Sequence, residues 1–293
     1  MPKKNTVRGA YLALHMAVLL FGLSAIFGDL ISLPSLSLVW WRLLFTCLSI
    51  LFLIRVWDKI RAADKGLLVR MIGIGIIVAL HWITFFGSIK QANASVALVC
   101  LATTAFFTAL IEPVIMKQRW KGYEMMLGLA MVPGMTFVVQ GVPDSMVSGI
   151  WLGLLSAIFI ATFASLNKQL IHRADPIFIT FVELGSGWLF ISAVFPFMNN
   201  SIDFWPLGMD WIYLLALAIL CTTVGYVLAL KAMRQLSAFI AMLTMNLEPV
   251  YGMILAWFLL DDATELTGSF YIGVAIILVS IFIHPYLKRK YSK

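Results

Sequence analysis

Near the middle of the apolar stretch QLSAFIAMLTMNLEPVYGMILAWFLLDD, residues 235–262, stand Asn246, Glu248 and Pro249. A segment of about 24 residues crosses a hydrocarbon core of roughly 30 Å, which puts the carboxylate near the bilayer midplane. A charge there costs on the order of 3 kcal/mol or more unless it is paired, hydrated or protonated. Pro249 adds to the cost, because it has no N–H for the carbonyl of Met245 and weakens the helix at the depth of the charge. Broken, polar helix at that depth is tolerated only where it faces protein or a water-filled cavity. Two chemistries suit Glu248: binding an amino or other cationic group of a solute, or taking up a proton during a cycle. The competing role is a protonated or hydrogen-bonded glutamate that packs helices and caps the proline break. Asn246 falls about opposite Glu248 on a regular helix, and an interhelical hydrogen bond is its favoured role.

Other residues could add to such a site. Arg42 lies too deep in its apolar run to be a loop charge. It could draw an anionic group towards a cavity mouth, or serve a structural role by pairing with Asp29 or Glu183 or by snorkelling to the interface. Glu183 occupies roughly the inverted counterpart of that position, with the same two possibilities. His81 and Phe85 are four apart and share a helix face, as do Trp82 and Phe86, so an imidazole and a ring could be presented together. With Tyr226 and Tyr251 they would make an aromatic pocket with a few polar handles, a form suited to small organic solutes. The competing role for all of these is ordinary packing.

The elements that must position these residues follow from composition. Of 293 residues, 62% are hydrophobic and 12% charged, against roughly 25% charged in soluble domains, and the mean hydropathy is +0.97. The fold class is an all-α polytopic membrane protein. Its expected spans are about 9–31, 36–56, 67–89, 94–116, 125–142, 149–170, 177–198, 211–230, the stretch around Glu248, and 266–287. The first span is too long for a signal-peptide core of about 7 to 15 residues and has no convincing cleavage site, so it is read as retained. With ten spans, every Lys and Arg except Lys90 and Arg42 falls on one side or in the tails, while Asp29, Asp144, Asp203, Asp210, Asp261, Asp262 and Glu265 stand opposite. The positive-inside bias places both termini in the cytoplasm. It also accounts for the net charge of +7 as topology, so no nucleic-acid partner is expected.

Two segments read as copies. KQANASVA from Lys90 and RQLSAFIA from Arg234 align Gln91 with Gln235, Ala94 with Ala238 and Ala97 with Ala241 at an offset of 144, which carries Thr104 onto Glu248 and Phe107 onto Tyr251. A rival offset superposing Glu112-Pro113-Val114 on Glu248-Pro249-Val250 equates a helix end with a midplane and is rejected. Each half, 9–142 and 149–287, then holds five spans between basic tails at 1–8 and 288–293. Five is odd, so the second copy is inverted, as in many secondary transporters.

The duplicated five-span unit, Pro34 followed by Trp40-Trp41-Arg42, the helix-turn-helix IKQANASVALV and the segment NLEPVYGMILAWFLLDD together resemble the EamA-like group of the drug/metabolite transporter superfamily. The resemblance covers about residues 9 to 287. In the first half it departs from the family pattern, with Ala105 where the span-four proline often stands and Gln118 near the usual acidic cap. The resemblance implies a carrier in the plasma membrane, here the inner membrane of a bacterium. It further implies export of amino acids or related metabolites by alternating access, with a cavity lined by spans 1, 3, 4, 6, 8 and 9. The expected partners are a small organic solute, membrane lipid and protons as a coupling ion.

Catalysis has little to stand on: HExxH, GxSxG and a matched pair of mid-span aspartates are all missing, as is a Walker A sequence. Cys47, Cys100 and Cys221 lie in apolar runs without CxxC or Cys/His spacing, so neither a disulfide framework nor a metal site is expected, and no cofactor. An intramembrane enzyme and a transport-inactive receptor or scaffold are the alternatives to a carrier. Gly149 and Gly153, with Gly128 and Gly134, are read as close-packing points within one molecule.

Overall fold

A computed structural model describes residues 4–51, 63–120, 122–170, 173–197, 203–233, 236, 244–260, 264 and 266–291. The start of the ninth expected span (237–243), the end of the second (52–56) and the acidic cap of Asp261, Asp262 and Glu265 lie outside the described residues, as do Gln235, Ala238 and Ala241 of the repeat.

The described elements are helical. We label them α1 (Lys4–Leu30), α2 (Ser35–Leu51), α3 (Lys65–Gln91), α4 in two arms (Ala94–Ala102 and Thr104–Met116) and α5 (Gly122–Gln140). The second half has α6 (Val147–Leu170), α7 (Pro176–Val194), α8 (Asp210–Leu215, a π-helical stretch Ala216–Val224, then Gly225–Met233), α9 (Glu248–Leu259) and α10 (Gly268–Tyr291). Among the described residues, six helices are long and apolar enough to cross a membrane, and four shorter apolar helices accompany them. Side-chain caps start several of these helices by satisfying amides that have no intrahelical partner. Asp64 accepts from Leu67 N, Asn93 from Val96 N, and Asp175 from Ile177 N and Phe178 N ahead of Pro176. Large apolar side chains such as Trp151, Trp257 and Phe258 point outward, as a lipid-facing surface requires.

Packing respects the duplication. α3 packs on α6 and α7, and α8 packs correspondingly on α1 and α2; α4 packs on α6 as α9 packs on α1. Of the other pairs, α2 with α7, α4 with α9 and α5 with α10 each join a helix to its own counterpart five places on, while α2 with α3 and α4 with α5 pack within the first half. The paired contacts fit two repeats.

Glycine makes the closest of these contacts. A Cβ at Gly22 would fall 2.8 Å from Gly252 N, and one at Gly134 would fall 3.1 Å from Gly273 O. Gly149 lies against Ala92, Gly153 against Cys100 and Gly128 against Phe106. The glycines singled out from the sequence thus pack helices within the chain.

Candidate functional site

Two helices break at equivalent places. The first arm of α4 ends at Ala102, and Thr103 turns its hydroxyl back onto Cys100 O at 2.6 Å. The second arm starts at Thr104. In the other half Asn246 and Leu247 form a turn and α9 starts at Glu248, with Pro249 in its first turn. The missing proline N–H costs nothing there, because first-turn amides have no helical partner. Thr104 and Glu248 are related by the offset of 144, so the register read from the sequence matches the two helix starts. Glu112, by contrast, lies towards the far end of its arm. Glu248 stands at the positive end of a helix, where an anion is favoured.

The break also opens a cavity of about 370 Å³. From the second arm of α4 come Thr104, Thr108 and Glu112, spaced by four and therefore on one face. α6 supplies Ile160, Ala164 and Lys168 at the same spacing, and Asn246, Glu248 and Pro249 close the wall between them. Gln118, Arg119 and Glu124 lie where the cavity meets the loop after α4, and Ile281 of α10 adds an apolar patch. Lys168 Nζ lies 2.6 Å from Glu112 Oε1, pairing two charges of the wall. Thr104 Oγ1 is buried with no hydrogen-bond partner among the described residues. Because the turn replaces regular helix, Asn246 shares this wall with Glu248 instead of facing away from it.

The wall departs from the lining that the resemblance implies. α4, α6 and the start of α9 contribute as expected, but α5 and α10 take part and α1, α3 and α8 do not. These last three are held closed against their neighbours. α1 meets α9 through Gly22 and Gly252, and α3 meets α6 through His81, whose Nδ1 is 2.8 Å from Ser156 Oγ.

The other sequence candidates lie away from this wall. Arg42 is 5% exposed. Its Nε donates to Thr222 Oγ1 at 3.1 Å and its guanidinium lies 3.9 Å above the Trp82 ring, with Phe86 at 5.3 Å. Its charge is also felt by Glu248, which couples it to the cavity without direct contact. His81 is buried, bonded to Ser156 and flanked by Phe85 and Phe163. Glu183 is buried beside Asn167, whose Nδ2 donates to Oε2 at 3.1 Å. Tyr226 shares a hydrogen bond with Thr180, and the Tyr251 hydroxyl is 2.9 Å from His15 Nδ1.

Reasoning from the sequence missed the Thr104, Thr108 and Glu112 stripe, Lys168 and the His15 partner of Tyr251. A signal for the stripe was present: Thr104 is the repeat counterpart of Glu248, and the next polar residues recur every four positions. His15 carries no comparable signal. Among the described residues, no group of three or more His, Cys, Asp or Glu could hold a metal ion.

Long apolar helices, duplicated packing and a partly polar cavity beside the starts of two helices define a multi-pass integral membrane protein built from two repeats. The chain belongs to the EamA-like transporter family, which it matches over residues 8–140 and 147–284. It is 23% identical over 255 residues to an uncharacterized transporter, YxxF, of Bacillus subtilis (strain 168), covering 84% of this chain and 80% of that one. An uncharacterized transporter of Clostridium kluyveri is 21% identical over 239 residues, covering 79% and 76%. A crystal structure with 16% identity superposes with a TM-score of 0.60 over 96% of this chain and 98% of that one, a likeness of fold. The family is one of transporters, not of enzymes.

Proposed function

We propose that this protein is a secondary carrier that exports small organic metabolites, amino-acid-like or related, across the bacterial plasma membrane. In this reading ten spans cross the bilayer with both termini in the cytoplasm, and the halves 9–142 and 149–287 are inverted about the cavity. The loop after α4, with Lys117 and Arg119, then faces the cytoplasm, and the cavity opens inward. Outward opening follows from rocking one half against the other. Both relatives named above are bacterial, which supports the membrane assigned.

One observation carries the reading: the Glu248 carboxylate lines a 370 Å³ cavity at the start of a broken helix. Half-helix starts that point at solute groups near the midplane are a recurring device of secondary transporters. The apolar wall of Leu101, Ala105, Ala109 and Ala164 suits the body of a small organic solute, and Glu248, Asn246 and Thr108 offer it hydrogen bonds.

The test uses liposomes containing purified protein and loaded with a bacterial small-molecule extract. Mass spectrometry of the retained contents should show selective loss of a few solutes relative to protein-free vesicles. Identical retention would overturn the carrier, and chemical conversion without movement would point to an enzyme.

A further inference from the structure

Glu183 lies apart from the solute cavity, and its surroundings are unusual for a carboxylate. The residue is 5% exposed. Oε2 accepts from Asn167, whereas Oε1 is buried with no hydrogen-bond partner among the described residues. One amide donor is poor compensation for a full negative charge removed from water. The position is fixed by backbone contact, since a Cβ on Gly75 of α3 would fall 2.1 Å from the Glu183 carbonyl oxygen. Ser186 Oγ donates to that same carbonyl at 2.9 Å.

On the α8 side, Tyr226 is bonded to Thr180 and feels the charge of Glu183.

Around Glu183, α3 presents Gly75, α6 Asn167 and α8 Tyr226. Asp175, ahead of α7, is the other acid that Tyr226 senses. No basic side chain is among the electrostatic partners of Glu183 in the described residues, and Arg42 is coupled instead to Glu248 and Cys221.

We propose that Glu183 is a proton-binding site separate from the solute cavity. A proton bound at Oε1 turns the carboxylate into a neutral acid. Proton binding stands by itself, and its use in driving solute movement rests on the carrier reading.

Infrared spectroscopy of purified full-length protein, with no added solute, tests the site. The wild type should show the carbonyl band of a protonated carboxyl at neutral pH, shifted in heavy water. Glu183→Gln should lose that component, and Glu248→Gln should keep it. If Glu183→Gln folds poorly, Glu183→Asp should retain the band at a shifted frequency. A wild-type spectrum unchanged by either substitution at Glu183 would overturn the site. Selective loss from liposomes without a Glu183 band would sink the proton site alone, and the band without solute movement would sink the carrier reading alone.

Discussion

Thr104 begins the second arm of α4 and Glu248 begins α9, one in each half of the chain, at equivalent positions of the repeat. Both residues line the same cavity, so the two copies bring a threonine and a glutamate to a shared wall. The duplicated break is structural, and the chemistry placed on it differs between copies.

Glu248→Gln keeps shape while removing the charge. Solute release from loaded liposomes is predicted to fall about tenfold or more, equivalent to a loss of at least roughly 1.4 kcal/mol of binding. Thr104→Val should leave unfolding unchanged or raise its midpoint, because it deletes a buried hydroxyl that has no partner. A Glu248→Gln protein that releases solute at the wild-type rate would exclude the carboxylate from the site.

Lys168 and Glu112 pair at 2.6 Å, yet Lys168 is 54% exposed. A double-mutant cycle on thermal unfolding should give a coupling of about 1 kcal/mol or less, the range of solvent-screened pairs. A much larger value would mean that the pair is shut off from water.

Arg42→Lys is predicted to destabilise the protein by about 1–2 kcal/mol, since lysine loses both the planar stack on Trp82 and the Nε bond to Thr222. Calorimetry of the variant in detergent checks this. Equal stability would show that the stack contributes nothing beyond charge.

Gly75→Ala should cost about 1–3 kcal/mol through overpacking against the Glu183 carbonyl. Gly73→Ala, two residues away with nothing within 4 Å, should instead be neutral or stabilising by up to about 1 kcal/mol. The comparison of unfolding midpoints isolates the α3–α7 contact from helix propensity.

Much of this arrangement was legible in the chain. Apolar run lengths, the basic loops and Pro249 depend on local composition, and they located the helices and the break at Glu248. The offset carrying Thr104 onto Glu248 was readable because both halves kept Gln and Ala at matching points. The π-helical stretch Ala216–Val224 was not, since nothing in ALAILCTTV distinguishes a wide turn from an ordinary one until Arg42 and Ser49 are packed on Thr222 and Thr223. Asn246 would face away from Glu248 only on a regular helix, and the turn at 246–247 brings both to one wall. Lys168 and Glu112 read as helix-end charges, and their meeting depends on how α6 crosses α4.

The glycine contact between α1 and α9 has a mechanical consequence. With Gly252 N only 2.8 Å from a Cβ built at Gly22, and Glu248 O at 3.2 Å, the two rods have no slack between them. Any tilt that widens or narrows the chamber beside Glu248 must drag the first helix along as one stiff lever. A bulky residue at position 22 should therefore force the two helices apart and shift Glu248 with them.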